Sequence, residues 1–525
     1  MSRTSRLLGV LTVLHTLAGS LIAVSVRGPL LAIDDIAFLS MGRTIAGDGA
    51  AAIGAQPPYG VLYPVLLAPG WLFGLGESQM VVYAQVLNAV LGALLIPVLY
   101  LLVRRLTSAG ESWAVVAALV GASLPAALLT GSIAWAERLL PLLVAIGLLG
   151  ASMLHERLTP ARIGVTIGAA VGLFAAHPRT GAVAVALIGV ATVAAFQRTR
   201  RDLAVAATGV GIAGMVLAEW LRSRIADAAF GSTGTYDAGS LAERRGVEDV
   251  SDMLVHGGGT IAYLVIATAG VAVLGALVLL NDRWAAATWG AVLVGIVGVA
   301  GWFLTGVDRA DAWLHGRYIE IMAPPLVALG VVAARNLPWR VAMATAAGAV
   351  IAAGLYGAWA GPGDNFGTTT RSPVMMLGTE VSGAPFGGNF FEVGAATSIG
   401  VLAGALLILA ARYREEVLVI VAGALVAVAV WSGLDALDSL QQNSIVGQVQ
   451  ASPLDDEPIG VLVIDTDRVQ PNLAAAVAYE VGLDRASADL EPGTTHLLLP
   501  ADASPPDNAR LVAEFVDGSV WALGG

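Results

Sequence analysis

From its start to residue 434 the chain alternates long apolar runs with short polar breaks. A membrane-crossing helix needs roughly 20 mostly apolar residues. On that basis the runs near 7–25, 79–103, 112–130, 138–154, 161–176, 181–197, 203–221, 259–280, 284–304, 318–334, 340–360, 394–411 and 416–434 predict about thirteen transmembrane helices. The first run follows Arg3 and Arg6 and lacks a small-residue cleavage pattern, so it reads as a retained signal anchor. From 435 to 525 the pattern changes. "IGVLVID" and "THLLL" read as buried strands and "PNLAAAVAYEVGL" as a helix opening on Pro. "SPPDNARLVAEF" reads as a second helix and "SVWAL" as a third strand. The prediction is an all-α polytopic membrane domain over 1–434, followed by a small soluble α/β domain over 435–525 with a partly parallel sheet.

Arginine placement orients these helices. Arg104–Arg105, Arg157 and Arg162, "RTRR" at 198–201, Arg283, Arg335 and Arg340, and Arg412 and Arg414 fall in alternate, short connections. The positive-inside bias places those connections and the N-terminus in the cytoplasm. The loops 26–78, 222–258, 305–317 and 361–393, the turns at Glu137 and His177–Arg179, and the C-terminal domain then face outward. Composition agrees: 13% charged residues is about half of soluble usage. With no Lys, all 28 basic side chains are Arg, and the Ala, Gly and Val richness suits a GC-rich bacterial genome. The absence of Cys excludes disulfides, thiolate metal sites and a cysteine nucleophile. A net charge of -11 without a basic patch argues against nucleic acid. The expected place is a bacterial plasma membrane.

The candidate chemistry clusters at the outward ends. "DDIAFLSMGRTIAG" pairs Asp34 with Asp35, opens on a helix-capping residue and closes on Gly47, a C′ residue. Ile36, Leu39 and Ile45 can line one face of a short interfacial helix. Capping accounts for one Asp and leaves the other for chemistry. Two adjacent carboxylates also offer oxygen ligands to a divalent cation, Mg or Mn, and the residues leave open whether any cofactor is needed. Glu137 heads a span and has Arg138 beside it as an ordinary partner. In "AAHPRTG" His177 and Arg179 are either solvated or a phosphate site. "HGRYIEIMAPP" puts Arg317 where outward arginine is disfavoured, with His315, Tyr318 and Glu320 as neighbours, so it either snorkels or binds phosphate. Asp465 and Asp467 follow the first C-terminal strand, where α/β sites form but turn residues also sit. Arg244–Arg245 and His256 are as readily surface groups, and "FGSTGTYDAG" lacks the strand, Lys and helix of a phosphate loop.

Three stretches carry a resemblance. "DDIAFLSMGRTIAG" followed by "PPY" with Tyr59, "SIAWAERLLPLLVAIGLL" with Glu137, and "WLHGRYIEIMAPPLVALG" with Arg317 resemble, in order, segments of the GT-C superfamily of membrane glycosyltransferases. Protein O-mannosyltransferases and lipid A aminoarabinose transferases belong to it, and this chain looks like an actinobacterial-type member. The resemblance covers roughly 1–434 and not the C-terminal domain. It implies transfer of a sugar from a polyprenyl-phosphate donor to an envelope glycan, lipid or protein. The implied roles are Asp34, Asp35 and Glu137 in catalysis and Arg317, Arg179 and Arg43 on the donor phosphate. Some relatives need a metal and others do not. The residue types suit the chemistry: a carboxylate can take the acceptor's proton, and a guanidinium fork can meet the departing phosphate. The alternative is a transporter or flippase of envelope lipids or glycans. That class places ionisable residues near mid-span in broken helices, whereas here they sit at outer ends.

Overall fold

The structure, a computed structural model, describes residues 3–47, 59–230, 250–306, 310–361, 373–379, 393–465, 468–483, 485–487 and 494–523. The first helices are α1 (Arg3–Val24), α2 (Ala32–Ala46), α3 (Leu62–Leu72), α4 (Glu77–Leu106), α5 (Glu111–Ala122) and α6 (Pro125–Leu129). There follow α7 (Leu139–Glu156), α8 (Pro160–Ala176), α9 (Gly181–Gln197), α10 (Arg201–Phe230), α11 (Val250–Ala267), α12 (Val271–Leu279) and α13 (Arg283–Leu304). The last are α14 (Ala323–Asn336), α15 (Trp339–Ala360), α16 (Val393–Tyr413), α17 (Glu415–Asn443), α18 (Ile445–Gln450) and α19 (Pro471–Val481). Among the described residues 10 helices are long and apolar enough to cross a membrane, or 11 if the pair α5–α6, bent by 58°, is one span. Each of the thirteen expected runs holds a helix, but some are short or broken. The run 161–176 is the 17-residue α8, and 318–334 yields the 14-residue α14. The run 259–280 is split into α11 and α12 by Gly270, whose φ of 74 breaks the helix.

One stretch inside this bundle is not regular. Residues 130–138 form two 3₁₀ turns, Thr130–Ser132 and Ala136–Arg138, with extended backbone between them. Irregular backbone among membrane helices is tolerated only where other groups satisfy it. Here α4 does so with two buried amides at helical spacing, i and i+3. Gln85 Nε2 donates to the Val26 and Ser132 carbonyls at 3.0 and 3.1 Å. Asn88 Nδ2 donates to Ile133 O at 2.7 Å, and Tyr63 donates to Asn88 Oδ1 at 3.0 Å. On the same face Gly92 leaves room for the Arg138 guanidinium; a Cβ there would lie 1.6 Å from Nη2. Asn88→Leu therefore strands buried carbonyls and a tyrosine hydroxyl. The expected cost is about 1–3 kcal/mol per group, read as a lower melting temperature of the purified protein. An unchanged melting temperature would show that α4 does not hold this segment.

The C-terminal part differs from expectation in one element. Its sheet has the order β2-β1-β3-β5-β4, from β1 (Val461–Ile464), β2 (Ala486–Ser487), β3 (Thr494–Pro500), β4 (Arg510–Phe515) and β5 (Gly518–Ala522). β1 is parallel to β2 and β3, and β5 is antiparallel to β3 and β4. "SPPDNARLVAEF" is thus a turn leading into strand β4, not a helix. Its period is two: Ala513 and Phe515 are buried while Glu514 between them is exposed. The helix before the domain, α17, also runs past 434 to Asn443. α19 packs against α2, and the Leu483 N–H donates to Glu77 Oε1 at 3.2 Å. The small domain therefore rests on the end of the bundle that carries the Asp pair.

Candidate active site

α2 positions the two aspartates differently. Its N-cap is Leu31, so Asp34 lies inside the first turn and does not cap. Asp35 serves the helix start instead: its Oδ2 accepts the Leu30 and Leu31 N–H groups, both at 2.8 Å. Asp35 Oδ1 accepts the N–H of Ala134, tying α2 to the irregular 130–138 segment. At the other end Gly47, at φ 99, closes the helix in the left-handed conformation that glycine adopts freely. Ile36 and Leu39 are buried and Ile45 half-buried, but Ala37 and Phe38 between the first two, and Met41 beyond them, are buried as well. The helix is enclosed by protein on all sides along this stretch and does not lie with one face on lipid.

Asp34 faces an alternating chain of charge. Its Oδ2 pairs with Arg317 Nη1 at 2.7 Å, and Arg317 Nε pairs with Glu137 Oε1 at 2.6 Å. The second Glu137 oxygen pairs with Arg179 Nη2. The second Asp34 oxygen accepts the Tyr59 hydroxyl. These four charged side chains are between 4% and 10% exposed, so each depends on its partners for solvation. Aromatic rings complete the shell. The Arg317 guanidinium lies 4.3 Å from the Trp135 ring centre and that of Arg179 4.9 Å from Tyr318. Tyr59 stacks on Phe38 at 5.0 Å and meets His177 at 5.4 Å. Arg317 Nη2 is buried without a hydrogen-bond partner, which leaves one donor arm of the fork for a ligand.

The environment sets the protonation states. Burial pushes the Asp35 carboxyl up, to about 7, with the Leu31, Leu30 and Ala134 N–H groups pulling the other way. Burial opposes the Arg317 charge, but Asp34 and Glu137 more than offset it and hold its pKa above the ordinary value. Burial, then the Arg179, Arg317 and Arg222 charges, push the His177 imidazole far below its usual value. His177 is therefore neutral, and its Nδ1 already accepts the Arg179 N–H at 3.3 Å. The neutral ring carries its proton on Nε2, so His177 can donate there but cannot serve as the base.

The structure thus brings Asp34, Glu137, Arg179, Arg317, Tyr59, His177 and Tyr318 together. Glu137 pairs with Arg179 and Arg317 rather than with Arg138, and Arg179 and Arg317 are neither solvated nor snorkelling. Arg43 does not join them. It sits nine residues after Asp34, about 13 Å further along the helix axis, in the last turn of α2, where a cation suits the helix dipole. His315 is buried beside Asp311, with Nδ1 3.6 Å from Oδ2, and against Tyr318 at 5.0 Å. Glu320 accepts the Tyr263 hydroxyl. All four oxygens of the Asp pair already have an N–H or O–H donor, and the two carboxylates serve different partners. That donor set does not make a shared oxygen cage for a cation; among the described residues no group of three or more potential ligands gathers. Asp465 is a turn residue whose carbonyl accepts the Arg468 and Val469 N–H groups. His256 is buried on α11 and contacts the Ala312 carbonyl at 3.0 Å. Arg244–Arg245, Asp467, the prolines before Tyr59 and the glycine run at 231–239 lie outside the described residues. Gln85, Asn88, Trp135, Tyr263 and Asp311 were not singled out from sequence. The two amides were nevertheless visible as polar residues within an apolar span.

Comparison with solved structures defines the class of fold. The chain superposes on ArnT from Cupriavidus metallidurans bound to undecaprenyl phosphate with a TM-score of 0.59, at 16% identity, covering 99% of this chain and 98% of that one. The apo state of the same protein gives 0.55 at 16% identity, with 98% and 97% covered. Comparisons with known protein families and with curated proteins find no match. The chain therefore shares the fold of that protein over nearly its whole length, C-terminal domain included.

Proposed function

We propose that this chain is a glycosyltransferase that moves a sugar from a polyprenyl-phosphate donor to an envelope acceptor on the outer face of a bacterial plasma membrane. The observation that carries the reading is the buried Asp34–Arg317–Glu137–Arg179 network at one end of a GT-C fold. The acceptor hydroxyl attacks the anomeric carbon, the bond from that carbon to the phosphate oxygen breaks, and the hydroxyl proton passes to Asp34. The polyprenyl phosphate leaves with the bonding electron pair. Its growing charge meets Arg317 Nη2, with Arg179 behind. A guanidinium suits this task because it stays charged and presents its donors in a planar fork. Glu137 and the Trp135 ring hold Arg317 in place, while Asp35 and His177 position the surrounding backbone. A single displacement of this kind inverts the anomeric centre.

The outer location rests on the arginine pattern and on α19 packing against α2. A reporter active only in the cytoplasm, fused after Gly525, should be silent; an active reporter would reverse the orientation. The activity is tested by incubating the purified protein with polyprenyl-phosphate sugars and an envelope extract. Free polyprenyl phosphate should appear only when the extract is present. No release from any donor would sink the reading.

A further inference from the structure

Next to the ion-pair network lies a second buried acid and base that the proposed chemistry does not use. The 3₁₀ turn Ala310–Leu314 carries Asp311, which is fully buried, and His315 follows just after it, also buried. Asp311 Oδ2 lies 3.6 Å from His315 Nδ1, too long for a hydrogen bond but close enough for charge to act. Keeping a carboxylate out of water costs several kcal/mol, so a buried acid away from the reacting groups calls for a role. Both sides of the pair are anchored. His256 on α11 contacts the Ala312 carbonyl at 3.0 Å, and its ring meets Trp313 at 4.6 Å. Beyond His315, the Gly316 and Arg317 N–H groups both donate to the Met375 carbonyl, at 2.8 and 3.3 Å.

His315 reaches the network through one ring. Its imidazole meets the Tyr318 ring at 5.0 Å, with 39° between the planes. Phe303 on α13 stacks on the same ring at 6.2 Å. Tyr318 is also the ring over which the Arg179 guanidinium lies, 4.9 Å from its centre. Arg179 is therefore held by Glu137 at its tip and by this aromatic face beneath it. A guanidinium over an aromatic ring gains about 0.5–2 kcal/mol, and only while it stays within about 6 Å of the ring centre. The plane of Tyr318 thus sets where Arg179 can sit, and His315 is one of the groups that set the plane.

We propose that Asp311 and His315 are positioning residues for the donor phosphate. Asp311 orients His315, His315 fixes the Tyr318 ring, and the ring holds Arg179 where it reinforces Arg317. Neither residue touches substrate. This rests on the glycosyltransferase reading and adds two residues to its donor side.

The test titrates the purified full-length protein in nanodiscs with undecaprenyl phosphate and records its melting temperature without ligand. His315→Gln keeps a donor facing Asp311 but removes the ring. It should weaken undecaprenyl phosphate binding about fivefold, the size of one cation–π contact, at a nearly unchanged melting temperature. Tyr318→Phe keeps the aromatic face and should bind as wild type does, whereas Tyr318→Leu should match His315→Gln. Asp311→Asn should give a smaller loss in the same direction and stands in should His315→Gln fail to fold. The deciding comparison repeats His315→Gln in an Arg179→Gln background. Because His315 acts through Arg179, no further loss should follow there. Equal affinity in wild type and His315→Gln, or the same loss with and without Arg179, overturns the positioning role and leaves the glycosyltransferase reading standing. Failure of wild type to bind undecaprenyl phosphate at all overturns both.

Discussion

Asp34→Asn should lower the rate of sugar transfer by a factor of about 10²–10⁴, the usual contribution of a positioned base. Donor affinity should change little, because Arg317 keeps Glu137 as a partner. The Tyr59 hydroxyl can still donate to the remaining side-chain oxygen. Asp35→Asn should behave differently although it is the next residue. Both Asp35 oxygens accept backbone N–H groups, three in all. An amide turns an NH₂ against one set of them, which leaves buried donors facing donors and costs about 1–3 kcal/mol. The first variant should lose chemistry and the second stability. The check is turnover and melting temperature for both, measured side by side. Near-normal turnover in Asp34→Asn would remove it as the base.

Arg317→Ala should have the largest effect on the protein as a whole. Arg317 bridges two buried carboxylates, so its removal leaves Asp34 and Glu137 facing each other with only Arg179 to offset them. Breaking a buried pair by removing one partner costs about 3–5 kcal/mol. Donor binding should fall as well, since the free Nη2 arm is lost. From sequence, a residue at the start of a span is expected to be dispensable for folding; the structure gives it a central packing role instead. Arg317→Lys separates charge from geometry. One ammonium keeps the charge, but cannot place donors on Asp34, Glu137 and a phosphate in one plane. It should fold, bind undecaprenyl phosphate more weakly and turn over slowly, with Ala worse in each respect. Equal donor affinity in wild type and Ala would pass the phosphate role to Arg179.

The legible part of this protein was the part governed by long-range averages. Apolar run length and arginine parity each sum over many residues, so the helical runs were recoverable. The three motif stretches could be placed in order for the same reason. What could not be read was which charge meets which. Glu137 has Arg138 as its neighbour in sequence, yet it pairs with Arg179 and Arg317. Those lie 42 and 180 residues away and are brought in by the packing of separate helices. The assignment of capping to Asp34 instead of Asp35 has a local cause. The helix starts at Ala32, two residues before the pair, so the later carboxylate is the one that reaches back to Leu30 and Leu31. The misread strand β4 follows from Pro-Pro-Asp, which opens helices but here opens a turn, closed by the Ala509 N–H on the Pro506 carbonyl at 3.1 Å. The period-two burial of Ala513 and Phe515 was the better signal.

The most direct measurement is the position of a bound polyprenyl phosphate. An experimentally determined map of the purified protein with undecaprenyl phosphate should show the phosphate oxygens within hydrogen-bond reach, about 2.7–3.2 Å, of Arg317, with Asp34 beside the phosphate. Phosphate density away from Arg317 and Arg179 would contradict the proposed arrangement of donor and base.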